Sequence, residues 1–81
     1  MKISVHLFAV LRETAGTSRI DLEIPAPSTA CQVAQLLAER FPKMRAHLPV
    51  LSFAVNGEIV PAETAVPEGG EVALLPPVSG G

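Results

Sequence analysis

The sequence predicts an α+β fold, a mixed five-stranded sheet packed on one main helix. Three observations carry that reading. Five short segments alternate apolar with polar residues or form compact apolar runs, as strands do. One stretch, Ala30 to Phe41, repeats apolar residues at helical spacing behind a capping signal. Asn56-Gly57 stands between two strand segments, and both residues tolerate positive φ, which makes it the strongest short hairpin signal in the chain.

Lys2 to Ala9 is the first strand, with Ile3, Val5 and Leu7 on one face and Ser4, His6 and Phe8 on the other. Leu11 to Gly16 forms a short helical turn closed by Gly16. Ser18 to Ile24 is a second strand whose Ile20, Leu22 and Ile24 point in while Arg19, Asp21 and Glu23 point out. Pro25 and Pro27 stop it. Thr29 and Gln32 then have the spacing of a capping box, and Val33, Leu37 and Phe41 stack behind them until Pro42 ends the helix. Lys43 to Leu48 is expected to add a further turn. Leu51 to Val55 and Glu58 to Val60 flank the Asn56-Gly57 hairpin, and Glu71 to Leu75 is the last strand after a turn-rich excursion. The order is β-β-α-β-β-β. The second strand feeds a crossover helix, so part of the sheet is expected to run parallel, with the partner strand not legible.

Composition sets the outer limits. The chain has 81 residues, 48% of them hydrophobic and 17% charged, which fits one packed domain and not a disordered chain. Six Lys and Arg against eight Asp and Glu leave a net charge of −2, so there is no basic footprint for nucleic acid or an anionic membrane. One cysteine excludes a disulfide framework, a thiolate zinc site and an iron–sulfur cluster, and His6 and His47 lack metal-ligand spacing. No metal is expected. No run approaches the roughly 18 apolar residues of a membrane span. The N-terminal apolar run is broken by His6 and followed by Arg12 and Glu13, unlike a signal peptide, and a cytoplasmic location is expected.

Two features exceed what folding needs. In the last strand Val72 and Leu74 form one face, while Ala73 and Leu75 form the other. A single helix covers one face of a sheet, so Leu75, and Phe8 on the even face of the first strand, are left over as edge cover or as a docking patch. The mean hydropathy of +0.39, high for so small a chain, supports the patch. The second feature is the ending. Pro76 and Pro77 hold the chain extended as it leaves the sheet, and Gly80 and Gly81 follow Val78 and Ser79. The domain is therefore placed at 1–75, with 76–81 a flexible tail that reaches roughly 20 Å. Such an arm carries one reactive group, the α-carboxylate of Gly81, and lacks bulk where a narrow channel would exclude it. That is the physical logic of a protein whose own C-terminus is a substrate.

At these residues the sequence resembles the ubiquitin-like sulfur carriers, the family of the molybdopterin synthase small subunit and the thiamine-pathway carrier. Phe8-Ala9-Val10-Leu11-Arg12-Glu13 with Gly16 is similar to its N-terminal signature. Thr29, Val33 and Leu37 fit its helix, and Val55-Asn56 its central hairpin. Gly70-Glu71-Val72-Ala73-Leu74-Leu75-Pro76-Pro77-Val78-Ser79-Gly80-Gly81 follows its ending. Gly70 stands where relatives often have Asp, and Leu75 near where they often carry an aromatic.

The resemblance implies a β-grasp fold. It also implies that Gly81 is adenylated with ATP by a separate ubiquitin-activating-type enzyme, and that a sulfur donor protein then displaces AMP to leave a thiocarboxylate. Tail residues Pro76, Pro77, Val78, Ser79 and Gly80 would enter the large subunit of a heterotetrameric molybdopterin synthase, where sulfur passes to cyclic pyranopterin monophosphate. Phe8, Arg12, Ile59 and Leu75 become the partner-binding residues, Ile59 because the resemblance sets its strand near this surface. No cofactor is expected on the carrier, since ATP serves the activating enzyme. The alternatives are a thiamine-pathway carrier, a ubiquitin-like modifier forming isopeptides through Gly81, and a binding module with an idle tail. No grouping of His, Cys, Ser and Asp residues suits nucleophilic catalysis within the chain. Cys31, in the first helical turn at the margin of the apolar stripe, reads as structural or incidental, and His6 as an exposed or edge-facing strand residue.

Overall fold

The computed structural model describes residues 1–77. Five strands, β1 (Lys2–Leu7), β2 (Arg19–Glu23), β3 (Ser52–Val55), β4 (Glu58–Val60) and β5 (Glu71–Leu75), form one sheet in the order β2-β1-β5-β3-β4. β1 runs parallel to β5, and the other neighbours pair antiparallel. The parallel partner that the sequence left unread is thus the last strand beside the first, which puts β5 in the middle of the sheet.

The helix α1 (Val10–Ala15) follows β1, and Gly16 closes it at φ 78 with its N–H donating to the Arg12 carbonyl at 2.9 Å. The longer helix α2 (Ala30–Arg40) lies across one face of the sheet. Its start is the expected capping box: Thr29 Oγ1 accepts from the Gln32 N–H at 3.2 Å, and Gln32 Oε1 accepts from the Thr29 N–H at 2.8 Å. Two more of the amides that a helix start leaves unpaired are met from the β4–β5 connection, Ala30 N by the Thr64 carbonyl at 3.0 Å and Cys31 N by the Ala62 carbonyl at 2.8 Å. This second cap was not legible in the sequence, because it joins segments more than thirty residues apart.

The core lies between α2 and the sheet. Ala30, Val33, Ala34, Leu37 and Ala38 pack toward Ile3, Val5 and Leu7 of β1, Val72 and Leu74 of β5, and Phe53 and Val55 of β3. Each fully buried Leu or Val contributes roughly 1.5–3 kcal/mol of transfer free energy. After Arg40 the chain forms a nine-residue 3-10 helix (Pro42–Val50), longer than the turn expected at Lys43–Leu48. Pro42 opens it, Pro49 removes a donor within it, and Met44 anchors it in the core. The last turn of this helix ends in a Leu51 N–H bond to the Leu48 carbonyl, so Leu51 falls outside β3.

Candidate docking face and chain exit

The face of the sheet away from α2 is built by strand alternation and ordered by register. Across its middle runs one row, from Arg19 on β2 through His6 on β1, Ala73 on β5 and Ala54 on β3 to Ile59 on β4. Toward the C-terminal end of β1 and β5 lie Phe8 and Leu75, with Ser52 opposite Leu75. Toward the other end lie Ser4 and Glu71, which pair across β1 and β5, with Asp21 opposite Ser4. The face is thereby divided. One part, Phe8, Leu75, Ala73, Ala54 and Ile59, is apolar; the other, Arg19, Asp21, Ser4 and Glu71, is polar; His6 stands on the border.

The structure gathers Phe8, Leu75 and Ile59 onto this one face, as the sequence reading expected. Phe8 is 44% exposed, Ile59 is 71% exposed, and Leu75 is half-buried. Side chains so apolar on an open sheet face are unpartnered within the described chain. The backbone just past the end of β1 helps place Phe8.

 Ala9, just past that strand end, takes a φ of 51° and ψ of −125°. This turn leaves Phe8 on the open face while Leu11, three residues on, is fully buried in the core. Arg12 is exposed on α1, which follows β1 directly and so lies at the same end of the sheet.

The chain leaves the sheet at that end too. β5 finishes at Leu75, Pro76 is half-buried and Pro77 is exposed. Because β1 and β5 are parallel, the exit is beside Phe8, next to the apolar part of the face. The expected tail residues Val78, Ser79, Gly80 and Gly81 lie outside the described residues.

Most members of the face were not among the expected partner-binding residues, Ala54, Ala73 and His6 among them. Ala54 and Ala73 sit opposite each other on β3 and β5, and their small side chains keep the middle of the face low between Phe8 and Ile59. His6 was expected to be exposed or at an edge. It is half-buried on an interior strand, because β2 and β5 flank β1 on both sides. Its Nε2 is covered and has no hydrogen-bond partner among the described residues, and Glu71 Oε2 is 3.6 Å away. Beside this pair, Arg19 Nε donates to Asp21 Oδ1 at 3.3 Å and Arg19 Nη2 to Ser4 Oγ at 3.0 Å. Cys31 belongs to α2, behind the sheet, where its sulfur accepts from Gln35 Nε2 at 3.7 Å. Among the described residues no three His, Cys, Asp or Glu side chains cluster to hold a metal ion. No helix among them is long and apolar enough to cross a membrane.

A mixed sheet in this order, with one helix across a face and the chain leaving its central strand, defines a ubiquitin-like β-grasp domain. The chain belongs to the ThiS family, whose model matches residues 5–81. It is 32% identical to the molybdopterin synthase sulfur carrier subunit of Mycobacterium tuberculosis, over 100% of this chain and 99% of that one. It is 38% identical to the protein of the same name from Haemophilus influenzae, over 98% and 99% of the two chains. Among solved structures it is similar to SAMP1, a small archaeal modifier protein of Haloferax volcanii, with a TM-score of 0.87 at 27% identity and full coverage of both chains.

Proposed function

We propose that this protein is the sulfur carrier subunit of a molybdopterin synthase. The observation that carries the reading is the coincidence of two features at one end of the sheet: an unpartnered apolar face and the exit of the chain toward Gly81. The names of its full-length relatives support the same role. In this reading the open face docks on the large subunit, with Phe8, Ile59 and Leu75 in contact and Arg12 at the rim, and Pro76 to Gly80 lead the terminus into the partner.

The chemistry requires activation from outside. A carboxylate is a poor acyl donor, since its leaving group would be oxide. A ubiquitin-activating-type enzyme would join the Gly81 carboxylate to the α-phosphate of ATP, releasing pyrophosphate. A sulfur donor protein then supplies reduced sulfur to the acyl carbon, and AMP departs with the bonding electron pair. The thiocarboxylate that results is anionic near neutral pH and nucleophilic at sulfur, so the carrier needs no catalytic base. On the large subunit its sulfur would pass to cyclic pyranopterin monophosphate, and hydrolysis would return the Gly81 carboxylate.

Coexpression with an activating enzyme and a sulfur donor, followed by intact-mass measurement, tests this. The expected result is the mass gain of one oxygen exchanged for sulfur. An unchanged mass, with the activating enzyme active on another carrier, counts against it.

The likeness to a small archaeal modifier favours one second reading, in which the activated Gly81 is joined to lysine amines of other proteins. The two readings share the adenylation step. Conjugates of higher mass, without thiocarboxylate, would select the modifier. A thiamine-pathway carrier would form the thiocarboxylate too, and would fail to supply sulfur to the large subunit.

A further inference from the structure

We propose that His6 and Glu71 enter the docking interface as a pair holding one added proton, beneath a partner surface that is apolar and uncharged. The proposal rests on the docking reading above and assigns a role to the polar border of that face. His6 has a side chain 35% exposed and Glu71 one 66% exposed, so a partner on the face covers both further. His6 Nε2 is already shut off from solvent and unpaired among the described residues, with Glu71 Oε2 at 3.6 Å. A covered ring nitrogen without a partner is uncommon. Here a small side-chain movement brings a carboxylate oxygen into hydrogen-bond range.

The surrounding charges leave this pair to itself. From β2, Arg19 stands opposite His6, but it is engaged by Asp21 and Ser4, and the charges of Arg19 and Asp21 offset each other. On β1 itself, Lys2 stands opposite Glu23 at the far end of the strand. From the other side, β3 and β4 bring Ser52, Ala54 and Ile59, none of them charged. With His6 neutral, Glu71 is a carboxylate without a counter-charge. With one proton added, the pair has no net charge and the covered nitrogen gains its partner.

In water that difference is small. Beneath an apolar partner, a net charge is expensive to desolvate, and a paired, hydrogen-bonded one much less so. Docking therefore takes up a proton wherever the imidazole of the free carrier holds none. The sign follows from linkage: the docked state binds the proton more tightly, so affinity rises as pH falls. The gain is up to about tenfold per pH unit and levels off once the free protein is itself protonated. A partner that placed a Lys or Arg over Glu71 would compensate the charge without any proton.

The test is calorimetric titration of the full-length carrier into a purified synthase large subunit, in buffers of unlike ionisation enthalpy at about pH 8. The expected result is uptake of nearly one proton by the wild type. His6→Asn and Glu71→Gln should each lose most of that uptake and flatten the dependence of affinity on pH, with circular dichroism confirming their folding. Docking without proton uptake, or with uptake unchanged in His6→Asn, overturns the pair and leaves the docking reading standing. Docking that weakens steeply with salt and takes up no proton points to a partner cation and overturns it as well. No docking at any pH removes the docking reading itself, and this inference with it.

Discussion

Asn56 and Glu71 exchange two hydrogen bonds: the Asn56 N–H donates to the Glu71 carbonyl at 2.8 Å, and the Glu71 N–H donates to Asn56 Oδ1 at 2.9 Å. A hairpin residue thereby extends the β3–β5 ladder one step past Val55 and Val72. It does so from a φ of 50°, which asparagine tolerates better than most residues. Asn56→Ala removes the side-chain acceptor and strains the turn, with an expected loss of about 1–2 kcal/mol. Asn56→Gly loses the bond but keeps the backbone freedom, and should fall between. Thermal unfolding followed by circular dichroism checks this, at roughly 4–8 °C per kcal/mol for a domain of this size. An unchanged midpoint in Asn56→Ala would mean that the side-chain bond contributes nothing.

Gly70 is the second position where local geometry leads to a firm expectation. A Cβ built there would meet the Pro67 carbonyl oxygen at 2.8 Å. The same residue donates its N–H to that oxygen at 2.9 Å and accepts from the Ser4 N–H at 3.0 Å, so it joins the turn to the β1–β5 ladder. A side chain would push these apart. Gly70→Ala should cost roughly 1–3 kcal/mol, and Gly70→Asp no less, although family resemblance places Asp in this turn. Urea unfolding should show a lower midpoint at unchanged slope. Full stability in Gly70→Asp would show that the Pro67 turn yields easily.

The elements of the fold were legible because their signals are local. Thr29 with Gln32, Gly16 and Asn56-Gly57 each act within a few residues, and each does in the structure what its chemistry implies. Strand order was not legible, because alternation reveals the two faces of a strand and not its neighbours. For that reason His6 could not be placed on an interior strand, nor Ala54 opposite Ala73. Phe8 and Leu75 were visible as apolar residues left without cover. Ile59 came only from family resemblance, since β4 has three residues and is too short to display a period.

The proposed docking face yields a prediction that separates binding from folding. Ile59 is 71% exposed, so Ile59→Glu should leave stability within about 0.5 kcal/mol. Covering such a residue at an interface is worth roughly 1.5–3 kcal/mol at most, so affinity for the large subunit should fall about tenfold to a hundredfold. Leu75→Glu should weaken docking at least as much, because it also stands beside the chain exit. Titration of each folded variant against the large subunit is the measurement. Wild-type affinity in both would remove this face from the interface.

The proposed chemistry depends most on the terminus. If Gly81 carries the group that is activated, one residue added after it moves the carboxylate by about 3.5 Å, more than a near-attack geometry tolerates. The extended chain should therefore form no thiocarboxylate. Deleting Gly81 should be as damaging, since the new carboxylate stops short of the ATP α-phosphate. Gly80→Val should fail for a different reason: its branched side chain narrows the conformations open to the backbone and adds bulk where the proposed insertion would need a slender tail. All three changes lie beyond Leu74, the last buried residue of the core cluster, so circular dichroism and the unfolding midpoint should match the wild type. Intact mass after incubation with the activating enzyme, ATP and a sulfur donor reads the outcome directly. If the extended and the truncated chains both took up sulfur at the normal rate, Gly81 would not be the acceptor, and Cys31, the one thiol in the chain, would become the group to examine.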